Sequence, residues 1–206
     1  MQQDNGQRAA SIIDALVEHG RAVILKEFQL NSCIATAAIA MTVLEKFGIA
    51  ANPLSVQATI YNAPCLKRLR GGESIPASRA ELLAWHQQDG AWMIGVGMGE
   101  AQPGMWPGHL GVVAEGATYI DLAIDQVRSK TGKVYMKPLR CPVNPQFLAG
   151  EKDLCLSNEK VGVVYTALPQ DRSYEVSPYW CHEKHRQAKS RVASRIVSML
   201  RRVLDQ

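Results

Sequence analysis

Apolar side chains recur at helical spacing in three parts of the chain. A stripe of apolar residues predicts a first helix over about Gln7 to His19, ended by Gly20. A second helix of about four turns follows Cys33 and stops at Gly48, a residue typical of helix C-termini. A third helix, "RAELLAWHQQ", lies between a capping serine and a glycine.

The end of the chain, residues 181–206, predicts an amphipathic helix. Its apolar residues at helical spacing are Val192, Ile196, Met199, Leu200, Val203 and Leu204. This segment has seven Lys and Arg and two acidic residues, a net charge of +5. The whole chain has a net charge of +4, so the other 180 residues together carry −1. The pattern favours packing on its own domain or on a second copy, because no nucleic-acid-binding motif accompanies the basic residues.

Alternating or short apolar runs predict strands through the middle of the chain. "PLSVQATIY" alternates and indicates a strand with one wet face. Five further segments are expected as strands: "AWMIGVGM", "HLGVVAE", "TYIDLAI", "KVYMKPL" and "VGVVYTAL". "RLRGGESIPAS" and "GEAQPGMWPG" are predicted as loops. Helices followed by consecutive strands favour an α+β fold with an antiparallel sheet over a doubly wound parallel sheet.

Length and composition fit one soluble globular domain. The 206 residues are 47% apolar and 20% charged, enough to bury a core over residues 1–180 before the C-terminal helix. The apolar runs are too short to span a bilayer, and the first residues lack a secretory signal pattern. The protein is therefore expected in the cytoplasm, without membrane association.

Five scattered cysteines suit neither a disulfide framework nor a zinc ribbon. The run "CHEKH" resembles half of a metal site, but no second ligand cluster accompanies it, so no metal is expected. Neither a P-loop nor a G-x-G-x-x-G motif after a strand is present, and we expect no cofactor.

Cys33 opens the second helix directly after Asn31 and Ser32. Unpaired N–H groups and the dipole at a helix N-terminus favour a thiolate, and the Cys33 N–H could help to bind an oxyanion. A cysteine here could equally be a small buried hydrophobe. A base and an orienting acid elsewhere in the chain would favour the reactive thiol over the buried hydrophobe.

His109 is the histidine best placed to act as the base. It starts the strand "HLGVV", and the next strand carries Asp121. A three-residue turn, with Gly116 at positive φ, would pair Ala114 with Thr118 and place Asp121 diagonal to His109 on one face. Asp125 would point to the same face as Asp121 and is the alternative candidate for the acid that orients His109.

The order of these motifs resembles the transglutaminase-like branch of the papain-like cysteine superfamily. The residues that carry it are "CIATAAIAMTVLEKFGI", a following strand, and "HLGVVAEGATYID", within Asn31 to Gln126. Arylamine N-acetyltransferases are similar at the His and Asp strands. The chain departs from these families after His109, where Leu110 and Gly111 replace a large residue. It also lacks their Arg after Gly-Ile and the Arg-Gly-Gly-Cys signature.

The resemblance implies a papain-like fold, with the nucleophile at a helix N-terminus packed on an antiparallel sheet, and a Cys33–His109–Asp121 triad. Gln29 and Asn31 are the candidate side-chain oxyanion donors, and Trp106 is a candidate cleft wall or a plain packing residue.

Three classes of function stay open. The leading one is a cysteine-dependent hydrolase or acyltransferase that acts on a peptide, amide or acyl-thioester. The second is an inactive member of the fold that serves as a binding module. The third is an interaction protein that works through its basic C-terminal helix, which could also mediate a homo-oligomer. A nucleic-acid partner is not expected.

Overall fold

The computed structural model describes residues 2–98, 106–129 and 131–205. Its first helix, α1 (Gln2–Ala15), does not end at Gly20 as predicted. It runs through one π-helical turn, Leu16–Gly20, into α2 (Arg21–Ile24). A Cβ on Gly20 would lie 2.7 Å from the side chain of Leu16, so glycine here makes room for a packed leucine and the helix continues.

The helix that begins at Cys33 is confirmed as α3 (Cys33–Lys46). Gly48 adopts φ 75°, the left-handed conformation of a helix C-terminus. The Ile49 N–H turns back to the carbonyl of Leu44 at 3.0 Å, which satisfies one of the last carbonyls of the helix.

Within the residues described, seven strands form one curled antiparallel sheet, which gives the predicted α+β architecture. The strands are β1 (Ala51–Asn62), β2 (Met93–Val96), β3 (His109–Ala114), β4 (Thr118–Asp121), β5 (Leu139–Pro142), β6 (Leu154–Ser157) and β7 (Val161–Ala167). Their order is β5-β4-β3-β1-β7-β6, with β2 paired to β1 beyond β3. The remaining helices are α4 (Ala63–Arg70), α5 (Arg79–Asp89), α6 (Pro145–Leu148), α7 (Pro178–Cys181) and α8 (Glu183–Leu204).

The β3–β4 hairpin has the predicted register. Ala114 pairs with Thr118 across a three-residue turn, and the ladder continues to Val112 and Ile120. Gly116 has φ 66° as expected, and Glu115 shares the positive φ at 50°. The parity of side chains along both strands is therefore fixed, and His109 and Asp121 share a face.

The two faces of the sheet bury separate cores. Leu110, Val112 and Ile120 pack with α1, α3 and α8 in one apolar cluster. Val113 and Tyr119 belong to a second cluster, together with residues of β1 and β7. Since neighbours along a strand alternate, His109 and Asp121 lie on the face of the hairpin that carries Val113 and Tyr119.

The C-terminal helix packs on its own domain. Val192, Ile196 and Leu200 of α8 are fully buried in the cluster that contains α1 and α3. The central part of its apolar face is thus covered within the chain, whereas Val203 and Leu204 at its end are exposed. Every helix in the described residues is too short or too polar to cross a membrane.

Two stretches differ from the predictions. "KVYMKPL" is not a strand: the sheet is continued by β5 from Leu139, while Tyr135 packs against Trp92 with ring centroids 4.5 Å apart. The predicted loop "RLRGGESIPAS" begins inside α4, which the side chain of Asn62 caps by accepting from the Cys65 N–H. The other predicted loop, over residues 99–108, falls largely outside the described residues.

Candidate active site

Cys33 lies at the N-terminus of α3 and is 8% exposed. The hydroxyl of Ser32, in the N-cap position, donates to the carbonyl of Gln29 at 2.5 Å instead of accepting from the first turn. The Ser32 side chain therefore does not cap the first N–H groups of α3, and the positive end of the helix dipole lies at Cys33. The Cys33 sulfur lies 4.0 Å from the carbonyl oxygen of Gly108, the residue before His109.

His109 and Asp121 form a buried pair. The ring Nε2 lies 2.7 Å from Asp121 Oδ2, and both side chains are fully buried. Because the carboxylate only accepts, Nε2 carries the proton in this contact. The hairpin register that was predicted from the turn length places these two groups together.

Two further donors hold the Asp121 carboxylate. The Tyr165 hydroxyl donates to Oδ2 at 3.0 Å, and the Ala123 N–H donates to Oδ1 at 2.9 Å. With His109 this makes three donors on one buried carboxylate, so its oxygens find their hydrogen-bond partners inside the protein. Sequence reasoning missed Tyr165, because its position depends on the pairing of β7 with β1, which local patterns do not reveal.

The second nitrogen of the ring, Nδ1, faces Gln126. The Gln126 Nε2 lies 3.0 Å from it and donates to its lone pair in the neutral ring. Gln126 was also missed. Its position in the short 3₁₀ turn Ile124–Gln126, directly after β4, is the signal that could have indicated it.

The electrostatic surroundings favour a charged His109. Burial lowers the pKa of the ring, but the charge and hydrogen bond of Asp121 and the proximity of Cys33 outweigh it and raise the pKa to about 10. A positive ring beside a cysteine stabilises the thiolate. The site can therefore hold an imidazolium next to Cys33.

Asp125, the reserve orienting acid, has a different partner. Its Oδ1 accepts from Arg21 Nε at 2.8 Å, and both side chains are buried. Arg21 also donates to Thr36 Oγ1 at 2.8 Å and to the carbonyl of Leu30 at 2.6 Å. Arg21 thus joins the segment before Cys33, the first turn of α3 and, through Asp125, the turn after β4.

The candidate oxyanion donors, Gln29 and Asn31, have exposed side chains. Among the described residues neither side chain makes a hydrogen bond to the site, so their role stays a prediction. Trp106, the candidate cleft residue, lies over Gly108, where a Cβ would come 2.0 Å from its ring. It also packs edge-on against Tyr174 at 5.8 Å.

Gly111 leaves no room for a side chain at the second position after His109. A Cβ at this position would lie 2.3 Å from the ring of Tyr119. The ring therefore fills the space that a larger residue after His109 would occupy.

The other cysteines lie in different environments. Cys65 and Cys141 are buried, and burial raises the pKa of both thiols, that of Cys141 to about 11 with a contribution from Asp121. Cys155 and Cys181 are exposed. Within the described parts of the chain no group of three or more His, Cys, Asp or Glu side chains could hold a metal ion.

Two large grooves open on the described surface, of about 600 and 970 Å³. The first runs along α3 beside Met41 and Trp180, and the second lies between α1 and the ends of α3 and α8. Neither is lined by Cys33 or His109 in the part of the chain that the structure describes. Comparison of the chain with protein-family models, with curated proteins and with solved structures finds no match.

Proposed function

We propose that the protein is a cysteine-dependent acyl-transfer enzyme with a papain-like fold, and that Cys33, His109 and Asp121 are its triad. The observation that carries the proposal is the buried 2.7 Å contact of His109 with Asp121, beside a thiol at a helix N-terminus. Nucleophile, base and orienting acid are the three parts that such catalysis requires. The transglutaminase-like order of the motifs supports the same assignment.

In the first half-reaction the Cys33 thiolate attacks the carbonyl carbon of a peptide, amide or acyl-thioester. The new S–C bond forms as the C=O π electrons move to oxygen, and N–H groups at the start of α3 bind the resulting oxyanion. When the intermediate collapses, the bond to the leaving amine or thiol breaks. His109 gives its Nδ1 proton to that leaving group, and a thioester on Cys33 remains.

In the second half-reaction water or another acceptor attacks the thioester. His109 takes the proton of the attacking group at Nδ1, and Cys33 departs as a thiolate with the electrons of the S–C bond. Water gives hydrolysis, and an amine or thiol acceptor gives transfer. Asp121 holds Nε2–H in both half-reactions and stabilises the charged ring.

A second candidate is a binding module that keeps the fold without turnover. The observation in its favour is the burial of the site, since His109 is 0% and Cys33 only 8% exposed. An acyl donor must reach the sulfur, so a small activated ester discriminates between the two candidates better than a large peptide does.

The test is acetylation by p-nitrophenyl acetate at neutral pH, with the acetyl group located on individual cysteines by mass spectrometry. We expect a burst of nitrophenolate and an acetyl thioester on Cys33. Cys33→Ser and His109→Gln should abolish the burst, whereas the matched variant Cys181→Ser, at an exposed thiol, should retain it. Acetylation spread over the exposed cysteines, with no dependence on His109, would favour the binding module.

A further inference from the structure

Gln126 makes the second hydrogen bond to the His109 ring. Its Nε2 lies 3.0 Å from Nδ1, while the ring Nε2 lies 2.7 Å from Asp121. A carboxylate accepts only, so the neutral ring carries its proton on Nε2 and its lone pair on Nδ1. The two side chains thus contact both nitrogens, one as acceptor and one as donor.

The backbone beneath Gln126 is fixed. The Gln126 N–H donates to the carbonyl of Ala123 at 3.1 Å, which closes the turn after β4. The preceding residue, Asp125, is bound to the buried Arg21. The carboxamide therefore meets the ring from an anchored segment.

We propose that Gln126 is a positioning residue, which holds the neutral His109 ring in its Nε2–H tautomer by donating to the Nδ1 lone pair. The reaction that this tautomer serves is the one in the proposed function, and to that extent the inference rests on it. The hydrogen bond itself can be measured whether or not the protein is an enzyme. Gln126 acts through the ring, as the partner that opposes Asp121.

The two partners act on the ring in opposite directions. An N–H donor on Nδ1 stabilises the neutral imidazole, whereas Asp121 stabilises the imidazolium. The other titratable groups around this site are Cys33 of α3, Tyr119 of β4, Cys141 of β5 and Tyr165 of β7, with the Arg21–Asp125 pair bound to the turn. Gln126 therefore brings the ring closer to the range in which it both accepts and returns a proton.

The experiment is an NMR titration of the ¹⁵N-labelled His109 ring in the full chain. In the wild type we expect the ring to be the Nε2–H tautomer once it is deprotonated, above the pKa of His109. In Gln126→Leu the pKa of His109 should rise by roughly 0.5 to 1, because one hydrogen bond to the neutral form is lost. Acetyl transfer to Cys33 at neutral pH should slow roughly three- to tenfold, as the ring returns its proton less readily.

Two variants keep the test decisive. Gln146→Leu makes the same change at an exposed position of α6 and should leave the titration unaltered. Gln126→Glu keeps the shape of the side chain and should raise the pKa of His109 further than leucine does; it also replaces Gln126→Leu if that variant does not fold.

An unchanged His109 titration in the Gln126 variants overturns the inference. Failure of the proposed function has a different signature, because wild-type Cys33 would then take up no acetyl group while the titration still reported the Gln126 contact.

Discussion

Asp121 and Asp125 lie close together in sequence and are both buried, yet they have different partners. Asp121 is bound to His109, Tyr165 and a backbone N–H, and Asp125 is bound to Arg21 and Arg128. A carboxylate that orients a histidine can act in proton transfer, whereas one that neutralises an arginine anchors chain segments. The role of each aspartate is decided by its hydrogen-bond partner, because both side chains are buried and both were expected on the same face.

The largest difference between the two is expected in acyl transfer. Asp121→Asn should slow acetylation of Cys33 by p-nitrophenyl acetate by roughly two to four orders of magnitude, because an amide can present an N–H to Nε2 and favour the wrong tautomer. Asp125→Asn keeps the shape of its side chain and should slow the reaction less than about tenfold, since one hydrogen bond is weakened. Equal losses in the two variants would contradict the division of roles.

For the stability of the fold we expect a large effect from Asp125, the aspartate that matters less for acyl transfer. Asp125→Ala leaves Arg21 buried without its counter-ion, so the free energy of unfolding should fall by about 3–5 kcal/mol. Urea denaturation followed by tryptophan fluorescence measures this change. The matched control is Arg140→Ala, which breaks a partly exposed pair with Asp14 and should cost less than about 1 kcal/mol. A similar cost for both variants would mean that Arg21 finds other compensation.

A smaller effect separates the two tyrosines beside Asp121. Tyr165→Phe removes a donor to the carboxylate and should lower the free energy of unfolding by about 1.5–3 kcal/mol. Among the described residues the hydroxyl of Tyr119 is buried without a hydrogen-bond partner, so Tyr119→Phe should be neutral or stabilising. The order of the two denaturation midpoints is the measurement, and the opposite order would refute the assignment of partners.

Local patterns predicted the parts of the site that depend on short stretches of chain. Turn length fixed the β3–β4 register and hence the His109–Asp121 pair, and Gly48 marked the end of the helix that starts at Cys33. These features follow from backbone geometry within one hairpin and one helix.

The residues that were missed depend on long-range packing. Gly20 was interpreted as a helix end, but its lack of a side chain accommodates Leu16 and lets the helix deliver Arg21 to Asp125. Tyr165 reaches Asp121 through the pairing of β7 with β1, which no local pattern specifies. The edge strand β6 was not predicted either, because it is short and half-exposed.

The most direct test of the central claim is the pH dependence of iodoacetamide alkylation, with each cysteine followed separately by mass spectrometry in the wild type, Asp121→Asn and Asp125→Asn. A triad of Cys33, His109 and Asp121 predicts that Cys33 is alkylated well below the ordinary thiol range near about pH 8.5 in the wild type and in Asp125→Asn. The same reactivity should be lost in Asp121→Asn. A Cys33 profile that is identical in all three proteins and matches that of the exposed Cys181 would contradict the account.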